Sequence, residues 1–548
     1  MNRWSALALL LAIAGALALR AHDLGNRPLH NDEAVNATKL AALWCKGEYK
    51  YDPHEYHGPT LHYFSLPFLA LSTSTDFGSS RREEAHSEIR NSQSLLTSAG
   101  TKKQPAFSDA QLRIVTVAFG VGLILLLLLL KDGLGHSATA WAALFLAASP
   151  AMVFYSRYFI HEMLLVFFSL LALAAGWRYS RSRHLIWAIL AGAGVGLMSA
   201  TKETFVLTLA AIIIALFAER IWNRRQQSIA PQTSKAKPAI RPLHLASALT
   251  AGGVVWMLFF TSFFTNSAGP SDSIATYLPW LNRAGGASPH IHPWHFYFER
   301  LLWFHPAKSP VWTELTLFLL AIIGAIAGFV GNRERVTHRG LTRFLTVYTV
   351  TLTGLYTLIS YKTPWCALNF WLGVILLAGI GATALVKSFR NKLTRAMLIG
   401  LIGVGVLHLA LQAWLVSHKF AADLRNPYAY AQTSPHEREL VERIKAIALA
   451  SPEGFNTPVK IISPESYWPL PWALRDFKRV GWFEEIPADA FAPIVLVSAK
   501  LNSVLDEKTN KAWIMTGYYE LRPNVFLELY VEFKLWEKFV ATLPRTED

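Results

Sequence analysis

Apolar segments separated by short polar loops make up most of the first 416 residues of the chain. Each approaches the length of about 20 residues that a membrane-spanning helix needs. The pattern therefore predicts an α-helical polytopic membrane protein with about 11 transmembrane helices. The predicted spans are 4–19, 111–130, 138–155, 162–177, 185–199, 204–219, 245–265, 311–330, 342–360, 366–386 and 396–416.

The loop charges give these spans an orientation. Loops rich in Lys and Arg face the cytoplasm, and Arg3 places the N-terminus on the same side. Eleven spans put all the basic regions inside, whereas a crossing at 59–73 would turn the later basic loops outward. The basic loops lie at 178–183, 220–241, 333–343 and 387–395.

This topology divides the chain into a membrane domain, 1–416, and an extracytoplasmic tail, 417–548. In the first outer loop, 20–110, we expect the stretch 59–73 to form an interfacial helix, since it is short for a span. The stretch 74–109 is rich in Ser, Thr and charged residues, which is typical of a flexible insert.

The tail has the pattern of a small α/β domain. HERELVERIKAIALA has helical periodicity, while VKIIS and PIVLVS are β-branched runs suited to buried strands. YYELRPNVFLELYV alternates on either side of Arg522-Pro523-Asn524, as a β-hairpin would.

Composition and charge limit the function classes. Hydrophobic residues make up 52% of the chain and charged residues 16%, which excludes a soluble protein. The net charge of +15 comes from the basic loops, so it reports orientation, and we expect no nucleic-acid partner. Cys45 and Cys366 are too few for a disulfide framework. Residues 1–19 are interpreted as an uncleaved first helix, with a cleaved signal peptide as the alternative.

The first cluster with candidate chemistry is the acidic pair in HNDEAVNA, just outside the first span. Asp32 and Glu33 could cap and stabilise a helix that starts at Ala34. They could also act in catalysis, with Asp32 as the preferred base. A helix N-terminus would fix the carboxylate in either case.

YDPHEYHGP is the second cluster, and it contains Asp52, His54, Glu55 and His57. These side chains are of the kinds that divalent metals bind, but their spacing matches no tight metal motif. A surface loop is the alternative. HIHPWHFYFERLLWFHP, which includes His292, offers the same choice between metal or sugar-phosphate contact and interfacial anchoring.

Isolated charges on the outer side form the third group. Arg157 and Glu162 lie where two spans meet, and Glu162 could be an ordinary first-turn acid or part of a site. Lys202-Glu203 and Tyr361-Lys362 lie in equally tight loops. Snorkelling explains such cations in general. Cations on the face that is otherwise poor in positive charge would also fit a bound anion such as a phosphate.

Together, HNDEAVNA, YDPHEYHGP, SRYFIHE, TKET and YKTPW resemble the GT-C membrane glycosyltransferases, and within them the flippase activity-associated family related to archaeal N-glycosylation. The tail segment SYWPLPWALRDFKRVGWF is similar to that family's outer domain. The chain is more distantly similar to the protein mannosyltransferase and aminoarabinose transferase groups. The resemblance covers nearly the whole chain apart from 74–109, and the tail lacks a WWD-type sequence.

The resemblance implies a GT-C-like fold and an inverting glycosyltransferase in the cytoplasmic membrane. Such an enzyme transfers a sugar from a polyprenyl-phosphate donor to an acceptor lipid, glycan or protein on the outer face. Position by position, it implies catalytic roles for Asp32, Glu33 and Glu162. Substrate contacts would come from Arg157, Lys202, Glu203, Lys362, Tyr361 and His57. A divalent metal (Mg, Mn or Zn) could be held by Asp32, Glu55, His57, Glu162 and His292.

Two other functions remain open at this stage: a non-enzymatic lipid-linked sugar transporter (flippase) component and a structural partner in the cell envelope. A transporter needs polar groups along a path through the bilayer. Here the spans are nearly free of charge at their centres, and the polar groups gather on one face. This distribution favours an enzyme.

Overall fold

The chain forms two compact units in the computed structural model. The membrane unit comprises Met1–Leu24, Gly47–Ala85 and Ala110–Tyr430, and the sheet unit comprises Gly25–Lys46, His86–Asp109 and Ala431–Asp548. The domain limits at 416 and 417 stay a prediction. The structure describes residues 3–47, 49–55, 57–72, 107–229, 241–285, 290–330, 337–501 and 512–544. Most of the predicted insert at 74–109 lies outside these ranges.

The membrane unit is helical, and every predicted span lies on a helix, so the predicted fold class is confirmed. Its main helices in the described residues are Arg3–Ala21, 60–72, Asp109–Leu126, His136–Ala148, Pro150–Ser156, Glu162–Ser182, Leu185–Ser199, Phe205–Ile229, Pro242–Phe260, Leu315–Phe329, Arg339–Leu358, Leu368–Ser388 and Lys392–Ser417. Its shorter helices are Leu127–Leu130 (3-10), Lys131–Leu134, Gly269–Ala275, Tyr277–Gly285, Phe296–Leu302 and Pro364–Ala367 (3-10).

The number of spans is not confirmed as eleven. In the described part of the chain, 7 helices are long and apolar enough to cross a membrane, or up to 8 if a bent pair is one span. That pair, His136–Ala148 and Pro150–Ser156, bends by 58° because Ser149 caps a new helix and Pro150 follows it at the first position. Two further apolar helices, Leu185–Ser199 and Leu315–Phe329, have only 15 residues each.

Close contacts between small residues hold the centre of the membrane unit together. The span Pro364–Ser388 is the most enclosed, with 83% of its apolar window buried. It crosses Leu315–Phe329 so closely that a Cβ added to Gly381 would lie 1.8 Å from the Leu320 carbonyl oxygen. Only glycine permits this approach of two backbones, which is a usual device of helix packing in membranes.

The predicted interfacial helix is helical over residues 60–72. Its Phe64 ring lies 5.4 Å from the ring of Phe119 and 5.6 Å from the ring of Phe168, centroid to centroid. The helix therefore packs against two long helices of the membrane unit. Its position on the outer face of a bilayer stays a prediction.

In the described residues, the strands of the sheet unit are β1 Val459–Ile462, β2 Val480–Phe483, β3 Ile494–Ser498, β4 Trp513–Arg522 and β5 Val525–Glu532. They form one sheet in the order β2-β1-β3-β5-β4. β1 pairs in parallel with β2 and β3, whereas β5 pairs antiparallel with β3 and β4. The helices are Asn31–Lys46, His436–Leu449, Leu470–Ala473 and Phe533–Thr542, with 3-10 turns at Gly454–Asn456 and Ala499–Leu501.

Both predicted strands, the hairpin and the helix of the tail are confirmed. The hairpin turns where predicted, and Asn524 adopts φ 65°, a left-handed conformation that asparagine tolerates. The sequence pattern did not reveal β2, because its four residues show no alternation and all are half-buried.

Candidate functional site

A buried ion pair marks the end of several helices in the membrane unit. The Lys202 ammonium contacts the Glu162 carboxylate, and both side chains are almost inaccessible, with 5% and 6% of their surface exposed. They line a tight gap that leaves no room for a water-sized molecule, together with side chains of the opposite helices, including Tyr356, Trp365 and Asn369. Glu162 and Lys202, two of the candidate site residues, therefore meet in space.

Local folding explains the position of both charges. Glu162 is the first residue of the helix Glu162–Ser182, where a carboxylate is stabilised by the positive end of the helix dipole. Lys202 lies in the turn that follows Leu185–Ser199, and its backbone N–H donates to the Met198 carbonyl at 3.1 Å. The end of one helix and the start of another therefore bring opposite charges together.

The Lys202 ammonium stays charged despite its burial. Burial alone would lower its pKa, but the Glu162 carboxylate opposes this and raises the pKa of Lys202 well above its ordinary value. A buried cation that keeps its charge is suited to binding an anion that can displace or share its carboxylate.

A second buried carboxylate, that of Glu203, lies one residue further along the same turn and contacts His57. His57 Nδ1 lies 3.1 Å from a carboxylate oxygen of Glu203, and the Glu203 side chain is only 4% exposed. Burial would raise the pKa of Glu203, but the charge and hydrogen bond of His57 and the charge of Lys202 hold it below its ordinary value. Glu203 is therefore an ionised carboxylate at neutral pH.

The loop that contains His57 is fastened to this turn by its backbone. Gly58 donates to the Thr201 carbonyl at 3.0 Å and Thr60 donates to the Ala200 carbonyl at 3.2 Å. A Cβ at Gly58 would lie 2.1 Å from the Ala200 carbonyl oxygen, so the approach requires glycine. Backbone hydrogen bonds and the close approach at Gly58 therefore hold the end of this loop against the turn.

The Tyr361-Lys362 segment pairs with part of the histidine-rich loop. The Lys362 backbone N–H donates to the His290 carbonyl at 2.8 Å, and its ammonium donates to the carbonyls of His292 at 3.1 Å and Ile359 at 2.5 Å. His290 Nδ1 and His292 Nε2 lie 2.9 and 2.8 Å from the Tyr430 hydroxyl. The two histidines thus hold one tyrosine.

Arg157 binds the backbone at the end of the first helix. Its guanidinium donates to the carbonyls of Arg20 at 3.1 Å, His22 at 2.5 Å and Asp23 at 2.8 Å. These contacts satisfy carbonyls that have no partner inside a helix. They give Arg157 a capping role, and its predicted contact with a phosphate stays a prediction.

The acidic pair lies in the sheet unit, where its two members differ sharply. The helix starts at Asn31, not at Ala34 as expected, because the side chains of His30 and Glu33 extend it. His30 Nδ1 accepts from the Asp32 N–H at 3.2 Å, and Glu33 accepts from the His30 N–H at 2.9 Å, an arrangement like a capping box.

Only one of these carboxylates is accessible. The Glu33 side chain is 0% exposed and is bound by the Arg27 guanidinium at 2.7 Å, whereas the Asp32 side chain is 45% exposed. Glu33 therefore stabilises the start of the helix. Asp32 presents a carboxylate that a substrate or a metal can reach.

The candidate metal ligands do not form a metal site among the described residues. No group of three or more His, Cys, Asp or Glu side chains there is arranged to hold an ion. His57 is occupied with Glu203, Glu162 with Lys202 and His292 with Tyr430. Glu55 is exposed in its turn.

Sequence reasoning missed Glu314 and Asn369. Glu314 is fully buried at the start of Leu315–Phe329, and Asn369 lies in the helix Leu368–Ser388 and lines the gap beside Glu162. A polar residue within or at the edge of an apolar span is itself a signal, because burying it there is costly. Tyr430 carried no such signal, since tyrosine is common near membrane surfaces.

Comparison with known proteins agrees with this architecture. Residues 105–235 match the family model for dolichyl-phosphate-mannose-protein mannosyltransferase. No curated protein matches the chain in sequence.

Three solved structures are similar in fold. ArnT from Cupriavidus metallidurans bound to undecaprenyl phosphate has a TM-score of 0.56 at 13% identity, covering 96% of this chain and 98% of that one. The apo state of the same protein gives 0.55 at 13% identity, with the same coverage. An Archaeoglobus fulgidus oligosaccharyltransferase in complex with Zn and sulfate gives 0.50 at 12% identity, covering 97% and 76%. The resemblance to GT-C glycosyltransferases is thus confirmed at the level of fold for a multi-pass membrane protein.

Proposed function

We propose that the chain is a membrane glycosyltransferase. It transfers a sugar from a polyprenyl-phosphate donor to a hydroxyl of an acceptor on the outer face of the cytoplasmic membrane. The buried Glu162–Lys202 pair supports this proposal most strongly. The fold it shares with a protein that was crystallised with undecaprenyl phosphate supports the choice of a polyprenyl-phosphate donor.

In the proposed reaction, the acceptor oxygen attacks the anomeric carbon as the bond from that carbon to the phosphate oxygen breaks. The polyprenyl phosphate leaves with the bonding electrons, and a single displacement inverts the anomeric centre. Lys202 would stabilise the negative charge that develops on the phosphate, the kind of electrostatic effect that usually dominates. Lys362 is proposed as a second phosphate contact on the basis of its sequence resemblance.

Asp32 is proposed as the general base that takes the proton of the acceptor hydroxyl. Its exposure, in contrast to buried Glu33, supports that choice. A positioned base typically contributes about 10²- to 10⁴-fold to the rate. The proposed step is written for the side chains of this chain alone.

The test is turnover by the purified protein in lipid nanodiscs, with radiolabelled polyprenyl-phosphate sugars and an extract of envelope acceptors. We expect Asp32→Asn to lower turnover by about 100-fold or more, the loss typical of a missing base, without changing thermal stability. Asp476→Asn is a matched control, because the Asp476 side chain is likewise 45% exposed in the sheet unit.

Normal turnover by Asp32→Asn would remove Asp32 from the mechanism. Movement of intact lipid-linked sugar across the bilayer, with no release of polyprenyl phosphate from any donor, would instead support the transporter alternative and overturn the proposed reaction.

A further inference from the structure

A cavity of the membrane unit opens beside Glu203 and plays no part in the mechanism above. About 180 Å³ of this cleft is open to a water-sized molecule. Aromatic residues make up half of its lining, and Glu203 is part of the same lining. The side chains that carry the argument are Tyr51, Glu203, Phe205, Trp256, Phe260 and Tyr277.

The walls of the cleft are firmly placed. The rings of Tyr51 and Phe260 meet edge to face at 4.9 Å. The Trp256 indole N–H donates to the Ser273 hydroxyl at 3.2 Å, and the Tyr277 hydroxyl donates to the Glu203 carbonyl oxygen at 3.3 Å. Since these contacts fix the aromatic side chains, the cleft is preformed, as small-molecule sites usually are.

The chemistry of the lining selects a ligand with both apolar and hydroxylated surfaces. Aromatic faces attract the polarised C–H groups on one side of a sugar ring, and an ionised carboxylate accepts hydrogen bonds from hydroxyls at its edge. Glu203 is held in the ionised form by His57. An isoprenoid chain would need no carboxylate and would leave its charge buried beside hydrocarbon.

The size of the cleft supports the same choice. Pockets for drug-sized ligands hold about 300–1,000 Å³. A cleft with about 180 Å³ of open volume therefore suits a single ring better than a long lipid tail.

We propose that the cleft lined by Trp256, Tyr277 and Glu203 binds one sugar ring. The inference deepens the proposed function, on which it rests for the source of the sugar. That sugar belongs either to the lipid-linked donor or to the acceptor glycan. Lys202 lines the neighbouring gap and Glu203 lines this cleft, so one turn would present a cation to a phosphate and a carboxylate to a sugar.

The first experiment measures binding without turnover. Saturation-transfer NMR with a panel of methyl glycosides is applied to the full-length protein in nanodiscs. We expect at least one glycoside to give a signal that falls about fivefold in Trp256→Leu, in line with the usual worth of an aromatic contact. Trp222→Leu is the matched control, since Trp222 lies 39% exposed toward the far end of its helix and should leave the signal unchanged.

Two further measurements show whether the bound sugar belongs to the donor or the acceptor, and whether a lipid occupies the cleft instead. A raised KM for the donor alone in Trp256→Leu assigns the cleft to the transferred sugar, and a raised KM for the acceptor alone assigns it to the acceptor. Weaker binding of sugar-free polyprenyl phosphate by Trp256→Leu would overturn the sugar assignment in favour of lipid.

The outcomes separate the two proposals. Glycoside signals that depend on Trp256 in a protein with no turnover would support the cleft and contradict the proposed reaction. Normal turnover with no glycoside signal, or with equal signals in both variants, would contradict the cleft alone.

Discussion

Two groups of buried acids in the membrane unit are held in opposite ways. Glu162 faces the Lys202 ammonium and Glu203 faces the His57 imidazole, whereas Glu314 is enclosed by hydroxyl, amide and indole donors. Its carboxylate accepts from the Ser149 hydroxyl at 2.5 Å, the Ala151 N–H at 3.0 Å, the Trp371 indole at 3.0 Å and the Tyr428 hydroxyl at 2.8 Å.

The difference separates structural acids from candidates for chemistry. Four fixed donors leave Glu314 no capacity for a ligand, and they join separate segments of the unit. The Lys202 ammonium can instead turn to a substrate anion. Burial alone therefore does not distinguish a functional acid from a structural one. The partner of the carboxylate makes that distinction.

Replacing Lys202 of the Glu162–Lys202 pair should cause the largest loss of turnover. Lys202→Met should lower turnover by about 10³-fold, equivalent to roughly 4 kcal/mol, because the phosphate loses its buried cation. It should also destabilise the protein, since breaking a buried pair leaves a charge without compensation and costs about 3–5 kcal/mol.

The double variant Glu162→Gln/Lys202→Met tests whether the pair serves function or folding. Thermal stability should return toward that of the wild type, because removing both charges of a buried pair is often neutral. Turnover should stay as low as in Lys202→Met. Recovery of turnover together with stability would show that Lys202 acts only in folding.

Glu314 should behave in the reverse manner. Glu314→Gln replaces one acceptor oxygen with an amide that faces two donors, and each unsatisfied buried donor costs about 1–3 kcal/mol. We expect a loss of about 2–4 kcal/mol in stability, read from thermal unfolding, with turnover per folded molecule unchanged. Glu219→Gln is a comparison at which a smaller loss is expected, because the Glu219 side chain is 17% exposed beside Arg343 and the Glu314 side chain is fully buried. A specific loss of turnover in folded Glu314→Gln would break the proposed distinction.

Glu437 in the sheet unit is a buried acid of a third kind, because another acid, Asp109, lies near it. Burial and the charge of Asp109 raise its pKa to about 7, opposed by Arg438 and Lys445. An acid whose folded pKa exceeds its unfolded value binds a proton more tightly when folded. Its stabilising contribution is therefore lost as pH rises from about 4.5 to about 7, by up to about 3 kcal/mol.

Glu437→Gln isolates that effect, since the neutral amide does not titrate. Hydrogen exchange of helix His436–Leu449 in the full-length protein should show little difference between variant and wild type at pH 4.5. Above about pH 7 the variant should be the better protected of the two. Equal protection at every pH would show that Glu437 titrates normally.

The sequence predicted the secondary structure better than the site. Apolar length located the helices, and alternation located the hairpin, because both patterns are local. The Lys202–Glu162 pair joins residues 40 positions apart and follows from helix packing, which no local pattern encodes. Glu33 shows the same limit: the acidic pair was visible, but only the contact with Arg27 shows which carboxylate is accessible. The predicted number of eleven spans is not confirmed, because some of the described helices are short or bent.

The turn that contains Lys202 and Glu203 joins the gap and the cleft through a single peptide unit. Consecutive Cα atoms are about 3.8 Å apart, so a displacement of the Lys202 Cα atom also displaces the Glu203 Cα atom. If a phosphate drew Lys202 away from Glu162, the shift would reach Glu203 and its contact with His57. Occupancy of one site would then alter affinity at the other, and linkage requires the effect to be equal in both directions.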